Sequence, residues 1–169
     1  EVGFKPKIFG GGMVGLQATA IKQQLGPLLN GIVCYDFWLP WAGFATDAGR
    51  EFLKKYQAKA AEAGVDALGY YLPPFAYARM ELIEQAVKGA GGTNDDKLTE
   101  FCRKNSFKTM VGDITFNEDG EWSFAQVVAV QFQGIQGNGI EQFRDPKTEV
   151  ILWPKKFKTG DVIYPYKPS

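Results

Sequence analysis

The chain has 169 residues, of which 45% are hydrophobic, so it is long enough for one compact domain or two very small ones. It has no His and only two Cys, which excludes His-ligated metal sites, catalytic triads that contain His, zinc ribbons and iron–sulfur motifs. The 19 basic and 19 acidic residues cancel, which argues against sequence-independent binding to nucleic acid or to an anionic membrane, and we expect no nucleic-acid partner.

The first part of the chain predicts a strand–helix–strand unit. A short strand over Lys7–Phe9 leads into a glycine loop, and the apolar spacing of Leu16–Leu25 predicts a helix that stops at Gly26-Pro27. The β-branched and aromatic segment Gly31–Tyr35 predicts the second strand. Because strands joined through a helix in this way pair in parallel, the segment predicts an α/β fold with at least one parallel βαβ unit.

The middle of the chain predicts three helices. Thr46 is a typical N-cap for a long amphipathic helix that ends at Gly64, and a proline pair begins a second helix over Phe75–Val87. Thr93 is the expected cap of a third helix over Asp95–Lys104. The acidic first turn and the basic last turn of this third helix both interact favourably with the helix dipole.

The last part of the chain predicts mainly strands. Asp119-Gly120 predicts the turn of a hairpin over residues 114–122, which continues as a long strand from Trp122 to Phe132. A final strand begins at Glu149, and a Lys-rich tail follows it that we expect to be extended and solvated. This order of elements contains too few strands for a complete doubly wound domain.

The glycine loop after the first strand has the spacing GxGxxG, formed by Gly10, Gly12 and Gly15, and Asp36 ends the next strand. The spacing is typical of dinucleotide sites, where glycines let the backbone approach a pyrophosphate and the acidic residue binds ribose hydroxyls. However, the first strand is short and bounded by Pro6, and the chain after Asp36 turns helical instead of adding parallel strands. A glycine turn that closes a βα unit explains the same residues, and we favour that interpretation.

Aromatic residues are concentrated in two segments, residues 35–44 and 70–77. Rings in loops suit an apolar or aromatic ligand or a protein interface, although any one ring can instead cover a sheet edge or a helix end. We expect some of these rings to be functional. Cys34, in a strand, and Cys102, in a helix, are expected to be buried free thiols, with a disulfide between them as the alternative.

Four segments, by their order and spacing, together resemble one family over essentially the whole chain. They are residues 3–10 with the glycine loop, the strand 30–33 with the aromatic crossing after it, the helices of residues 49–63 and 77–87, and residues 112–121 leading into 127–132. The family is the periplasmic substrate-binding proteins of branched-chain-amino-acid-type ABC transporters, and the resemblance is to its C-terminal half.

The resemblance implies an α/β fold of the type I periplasmic-binding-protein-like class. In this fold two Rossmann-like lobes close on a solute like a Venus flytrap. Only part of the two lobes is present in this chain. It places residues 1–39 and 122–169 in the second lobe and residues 40–121 in the first. It implies a periplasmic receptor of an ABC importer, which is not an enzyme, needs no cofactor or metal, and delivers a small solute to a membrane permease. We expect the N-terminal half, with its signal peptide, to be missing, so that the chain exposes apolar surface or associates.

The resemblance also implies which residues line the solute cleft: Gly11, Gly12, Met13, Trp38, Tyr71 and Leu72. In amino-acid-binding members, a Glu at the position of Gly12 contacts the ammonium of the ligand. With glycine there, burying an ammonium is costly unless another acid, such as Asp36, reaches the site. The expected solute is therefore an amino acid or, more readily, an aromatic or aliphatic carboxylate that lacks an ammonium.

Two other functions stay open at this point. One is a fragment of a dinucleotide-binding oxidoreductase, nicotinamide- or flavin-dependent, that uses the Gly10–Gly15 loop. The other is the ligand-sensing domain of a receptor, which shares the fold and which the sequence alone does not separate from a transport protein.

Overall fold

The computed structural model describes residues 3–124 and 126–167, so the lobe ranges expected above extend past the described residues at both ends and at residue 125. The helices and strands are, in chain order, β1 (Phe9–Gly10), α1 (Thr19–Leu25), β2 (Ile32–Asp36), α2 (Asp47–Ala63), α3 (Leu72–Ala90), α4 (Asp95–Lys104), β3 (Phe107–Thr109), β4 (Gly112–Ile114), β5 (Val128–Phe132) and β6 (Glu149–Trp153).

The main sheet has four strands in the order β1-β2-β5-β6. β1 and β2 pair in parallel, with Phe9 beside Ile32, and α1 connects them, which confirms the predicted βαβ unit. β5 pairs antiparallel with both β2 and β6, so the sheet is mixed. β2 and β5 are its two inner strands and turn alternate apolar side chains into the core, as Cys34 and Val130 show.

Helix α2 has the extent that its caps predict. The Thr46 hydroxyl accepts a hydrogen bond from the Gly49 N–H at 3.0 Å, and Gly64 ends the helix in the left-handed conformation. Helix α3 begins at Leu72, three residues before its predicted start at Phe75, because prolines in the first turn need no hydrogen-bonded N–H.

Two other helix starts also differ from the prediction. Asn94, not Thr93, caps α4, and its side chain accepts from the Lys97 N–H at 3.1 Å. The helix predicted from Leu16 is a 3-10 turn followed by α1, which starts only at Thr19. A carboxylate distant in sequence holds that start in place, because Asp66 accepts from both the Thr19 N–H and the Thr19 hydroxyl at 2.8 Å.

The predicted hairpin is also placed differently. The strand pair is β3 with β4, whereas the turn at Gly120 lies in a loop whose two arms share a single bridge between Phe116 and Trp122. The strand predicted from Trp122 begins only at Val128, and Phe124, expected on its apolar face, is 76% exposed. The turn prediction was therefore right about the reversal of the chain and wrong about the strands around it.

The main sheet and the long helices are built from different parts of the sequence. The main sheet takes its strands from before α2 and after β4, and the three long helices and the small hairpin come from the segment between. Large apolar side chains such as Phe4, Ile8, Met80 and Trp153 are exposed, as expected. Among the described residues, no helix combines the length and the hydropathy needed to cross a bilayer.

Candidate functional site

The glycine loop is held against the edge of β2 by backbone hydrogen bonds. The Gly11 N–H donates to Val33 O at 3.1 Å, and the Met13 N–H donates to Gly11 O at 2.9 Å. Gly11 and Gly12 are exposed, and Met13 is half-buried. Within the described part of the chain, the Gly12 N–H donates no hydrogen bond, so the loop offers a backbone donor to the surface.

Four half-buried rings form a continuous aromatic ladder, defined here as Tyr35, Phe37, Tyr71 and Phe75. Phe37 packs edge-on against Tyr35 at 5.3 Å between ring centroids, stacks with Tyr71 at 6.1 Å and meets Phe75 edge-on at 6.3 Å. Such offset and edge-on pairs are favourable ring contacts. The ladder therefore joins the end of β2 to the start of α3.

The aromatic ladder also reaches the glycine loop. A Cβ atom at Gly12 would lie 3.6 Å from the ring of Tyr35, which is ordinary van der Waals contact. The structure thus brings the loop and Tyr71, two parts of the predicted cleft, to the same aromatic surface. Leu72, the next predicted residue, is exposed beside Tyr71. The surface combines a free backbone donor with ring faces and edges.

Trp38 is the one predicted cleft residue that lies in the core. It is fully buried, and its ring packs edge-on against Tyr70 at 6.5 Å between centroids. In this conformation Trp38 packs in the core under the segment that connects β2 to α2, and no part of its side chain is exposed to a solute. Sequence reasoning did not select Tyr35, Phe37 or Phe75 as site residues, although the two aromatic segments that contain them were the signal for the ladder.

Asp36, the acid that would have to reach the site for an ammonium to be neutralised there, lies in the core. It is buried, and its Oδ1 accepts from the Phe37 N–H at 2.7 Å and from the Trp38 N–H at 3.4 Å. Burial, together with the negative charge of Glu149, raises the pKa of Asp36 to about 8. The carboxyl therefore takes part in the core and is not available to an ammonium or a ribose.

Asp36 belongs to a buried charge cluster, defined here as Lys22, Asp36 and Glu149. The Lys22 ammonium donates to Glu149 Oε2 at 2.6 Å, and both side chains are fully buried. The same ammonium lies 5.4 Å from the centroid of the Phe132 ring. Glu149 Oε1 is buried with no hydrogen-bond partner among the described residues. The cluster ties α1, β2 and β6 together.

The geometry of the GxGxxG segment does not suit a dinucleotide. A Cβ atom at Gly10 would lie 2.2 Å from Val33 O, so glycine is required there by the close approach of β1 to β2. The loop leads into a 3-10 turn, Val14–Gln17, and not into the N-terminus of a helix that could bind a pyrophosphate. The acidic residue of the pattern, Asp36, is buried.

Cys34 and Cys102 are both free, so the alternative disulfide does not form. Cys34 is buried as expected, but Cys102 is only half-buried because it lies on the partly exposed helix α4. Within residues 3–124 and 126–167, no group of three Cys, Asp or Glu side chains is arranged to hold a metal ion.

Comparison with known proteins identifies relatives by sequence family and by fold. Residues 1–134 match the family model described as periplasmic binding protein. A leucine-binding protein from Thermotoga maritima superposes with a TM-score of 0.52 at 17% identity, covering 69% of this chain and 31% of that chain. A leucine-, isoleucine-, valine-, threonine- and alanine-binding protein from Brucella ovis, in a closed conformation, superposes with a TM-score of 0.49 at 17% identity. This superposition covers 83% of this chain and 35% of that chain.

No curated protein matches the chain by sequence. The chain spans about a third of the length of the two solved structures, at 31% and 35%.

Proposed function

Because this chain belongs to the periplasmic binding protein family and has part of its type I fold, we propose that it is part of a solute-binding receptor. The observation that carries the proposal is the family match over residues 1–134. The protein binds a small organic solute between two lobes and performs no catalysis. It works in the periplasm with the membrane permease of an ABC importer, together with the polypeptide that forms the rest of the two lobes.

The division into lobes follows the separation of the elements. Residues 1–39 and 122–169 form one lobe, around the main sheet, and residues 40–121 belong to the other. In support, all four strands of the main sheet come from the first pair of ranges, and α2, α3, α4 and the β3–β4 hairpin come from the second. Hinge closure in such proteins is selected by contacts that a ligand makes with both lobes.

The solute lies between the glycine loop, Gly11–Met13, and the start of α3 at Tyr71 and Leu72. The exposed Gly12 N–H donates a hydrogen bond to a carboxylate of the solute, and the aromatic ladder packs against its apolar part. Trp38 contributes by supporting the crossing on which the ladder stands.

The preferred solute is an aromatic or aliphatic carboxylate without an ammonium group. No predicted cleft residue carries a carboxylate, and Asp36 is buried away from the loop. An ammonium closed into this site would lose its hydration without gaining an opposite charge, which is unfavourable. An amino acid remains the second candidate ligand.

Isothermal titration calorimetry tests the proposal on the full-length product of the gene that encodes this chain. We expect benzoate or hexanoate to bind, leucine and phenylalanine to bind more weakly, and NAD and FAD not to bind. Tyr71→Ala should weaken solute binding at least about tenfold, because it removes a ring from the cleft wall. Tyr164→Ala, at an exposed tail position, is the matched control and should leave the affinity unchanged.

Dinucleotide binding in place of solute binding would contradict the proposal. If none of the four solutes binds, and a dinucleotide binds to the wild type but not to Gly12→Ala, the protein is an oxidoreductase fragment and not a receptor.

A further inference from the structure

A second concave surface lies away from the glycine loop, along helix α2. It is an open cavity of about 440 Å³ lined by Pro40, Arg50, Leu53, Lys54, Gln57, Ala58 and Arg144. None of the six predicted cleft residues lines it. Three of its seven lining residues are cationic and none is acidic, and its volume is in the range that holds a small-molecule ligand. We call it the α2 cavity.

The α2 cavity is built by one face of a helix and by one residue that faces it. Arg50, Lys54 and Gln57 follow at spacings that place them on the same side of α2. Arg144 ends the 3-10 helix Ile140–Arg144 opposite them. Its guanidinium donates to Gln57 Oε1, and the Gln57 amide donates to Leu68 O at 2.8 Å, so the guanidinium is fixed in place.

The positive charge of the cavity is only partly compensated. Arg50 pairs with Asp47 at 2.6 Å and Arg144 lies 3.3 Å from Glu141, but both carboxylates are outside the lining and almost fully exposed. Exposed pairs of this kind are strongly screened by water. In the described part of the chain Lys54 has no ion-pair partner, and Arg144 Nε, the atom that lies 3.3 Å from Glu141, donates no hydrogen bond.

We propose that the α2 cavity binds a small oxyanion, through a carboxylate or phosphate group held by Lys54 and Arg144 with Arg50 at the rim. A planar guanidinium donates two parallel hydrogen bonds to such a group, and an ammonium adds a point charge. Leu53 and Ala58 add apolar lining next to the carbon skeleton of the ligand. This site is independent of the solute cleft proposed above.

Calorimetric titration of the full-length gene product with inorganic phosphate and with succinate, at constant ionic strength set by sodium chloride, tests this site. At least one of the two anions should bind saturably. Binding of phosphate indicates a phosphate ligand, and binding of succinate indicates a carboxylate ligand. Lys54→Gln and Arg144→Gln should each weaken binding at least about tenfold. Lys59→Gln removes the same charge from the same helix outside the lining and should change the affinity less than about twofold.

Three results would overturn the assignment. The first is that neither anion binds beyond the chloride background, and the second is that Lys59→Gln weakens binding as much as Lys54→Gln. The third is that Tyr71→Ala also abolishes anion binding, which would place the anion in the solute cleft.

Two features keep the test decisive. Lys54 is exposed, so Lys54→Gln stays informative even if Arg144→Gln does not fold. Unchanged anion binding in Tyr71→Ala supports two separate sites, whether or not that variant still binds the solute.

Discussion

At the residue scale, the buried charge cluster has more acids than bases. Lys22 neutralises Glu149 through their 2.6 Å contact, which leaves Asp36 in the same core without a cation of its own. Removing a carboxylate from water without a counter-charge favours its protonated form. The pKa of Asp36 is accordingly raised to about 8 by its burial and by Glu149, and the carboxyl keeps its proton at neutral pH.

This proton makes stability depend on pH. Between the usual Asp pKa of about 4 and a folded-state value of about 8, the folded chain holds a proton that the unfolded chain has lost, so stability falls as pH rises. The loss approaches about 1.4 kcal/mol per pH unit inside that window. Asp36→Asn keeps an acceptor for the Phe37 and Trp38 N–H groups and has no proton to release, so its stability should vary less.

Urea unfolding of the wild type and of Asp36→Asn at about pH 5 and about pH 8 measures how much the free energy of unfolding changes with pH in each protein. Asp113→Asn, at an exposed position, is the control and should show the same change as the wild type. An equal change in the wild type and in Asp36→Asn would show that Asp36 is ionised in the folded core.

In the proposed cleft, Gly12 should determine whether an ammonium is accepted. Gly12→Glu places a carboxylate in the exposed loop, where the new side chain meets only Tyr35 at its base. We expect the variant, in the full-length gene product, to bind leucine at least about tenfold more tightly than the wild type because the ammonium gains an opposite charge, and to bind hexanoate less tightly. Gly15→Glu adds the same charge in the 3-10 turn that follows the loop, where nothing lies within 4 Å of the added Cβ, and should have no such effect in calorimetry. If both variants gain equally, the position of the charge is irrelevant and Gly12 does not line the cleft.

At the element scale, success of prediction from sequence depended on how local the stabilising contacts are. Helix α2 was predicted well because Thr46 and Gly64 act on adjacent residues. The start of α1 depends on Asp66, 47 positions away, and no local pattern signals such a partner. The β3–β4 hairpin was missed for a similar reason, since the Asp-Gly turn is the stronger local pattern but its flanking segments pair only at the bridge between Phe116 and Trp122.

The packing of the first turn of α2 is testable at Gly49. Alanine there would gain about 1 kcal/mol of helix propensity, but its Cβ would lie 2.7 Å from Met110 O, a backbone atom that cannot swing away. We expect Gly49→Ala to lower the free energy of unfolding by about 1–3 kcal/mol in a denaturant titration. Gly139→Ala, where nothing lies within 4 Å, should stay within about 0.5 kcal/mol of the wild type. A stabilised Gly49→Ala would mean that α2 and the Met110 loop are not packed as described.

At the scale of the whole molecule, the family and the α/β class were accessible from the sequence, because the order and spacing of several segments carry them. That the named residues line a solute cleft stays a prediction. Gly12 and Tyr71 lie at one aromatic surface, but Trp38 and Asp36 are buried, beside Tyr70 and near Glu149, which are distant from them in the sequence. Such burial is a property of the assembled core, which single segments do not encode.

In the proposed receptor, the glycine loop and the start of α3 form the two sides of one solute cleft. This arrangement can be tested by amide hydrogen exchange of the full-length gene product, with and without the tightest-binding of benzoate, hexanoate, leucine and phenylalanine. The solute should protect residues 11–16 and 72–77 together and leave α4 unchanged. Protection of only one of these segments, or of neither while the solute is bound, would contradict it.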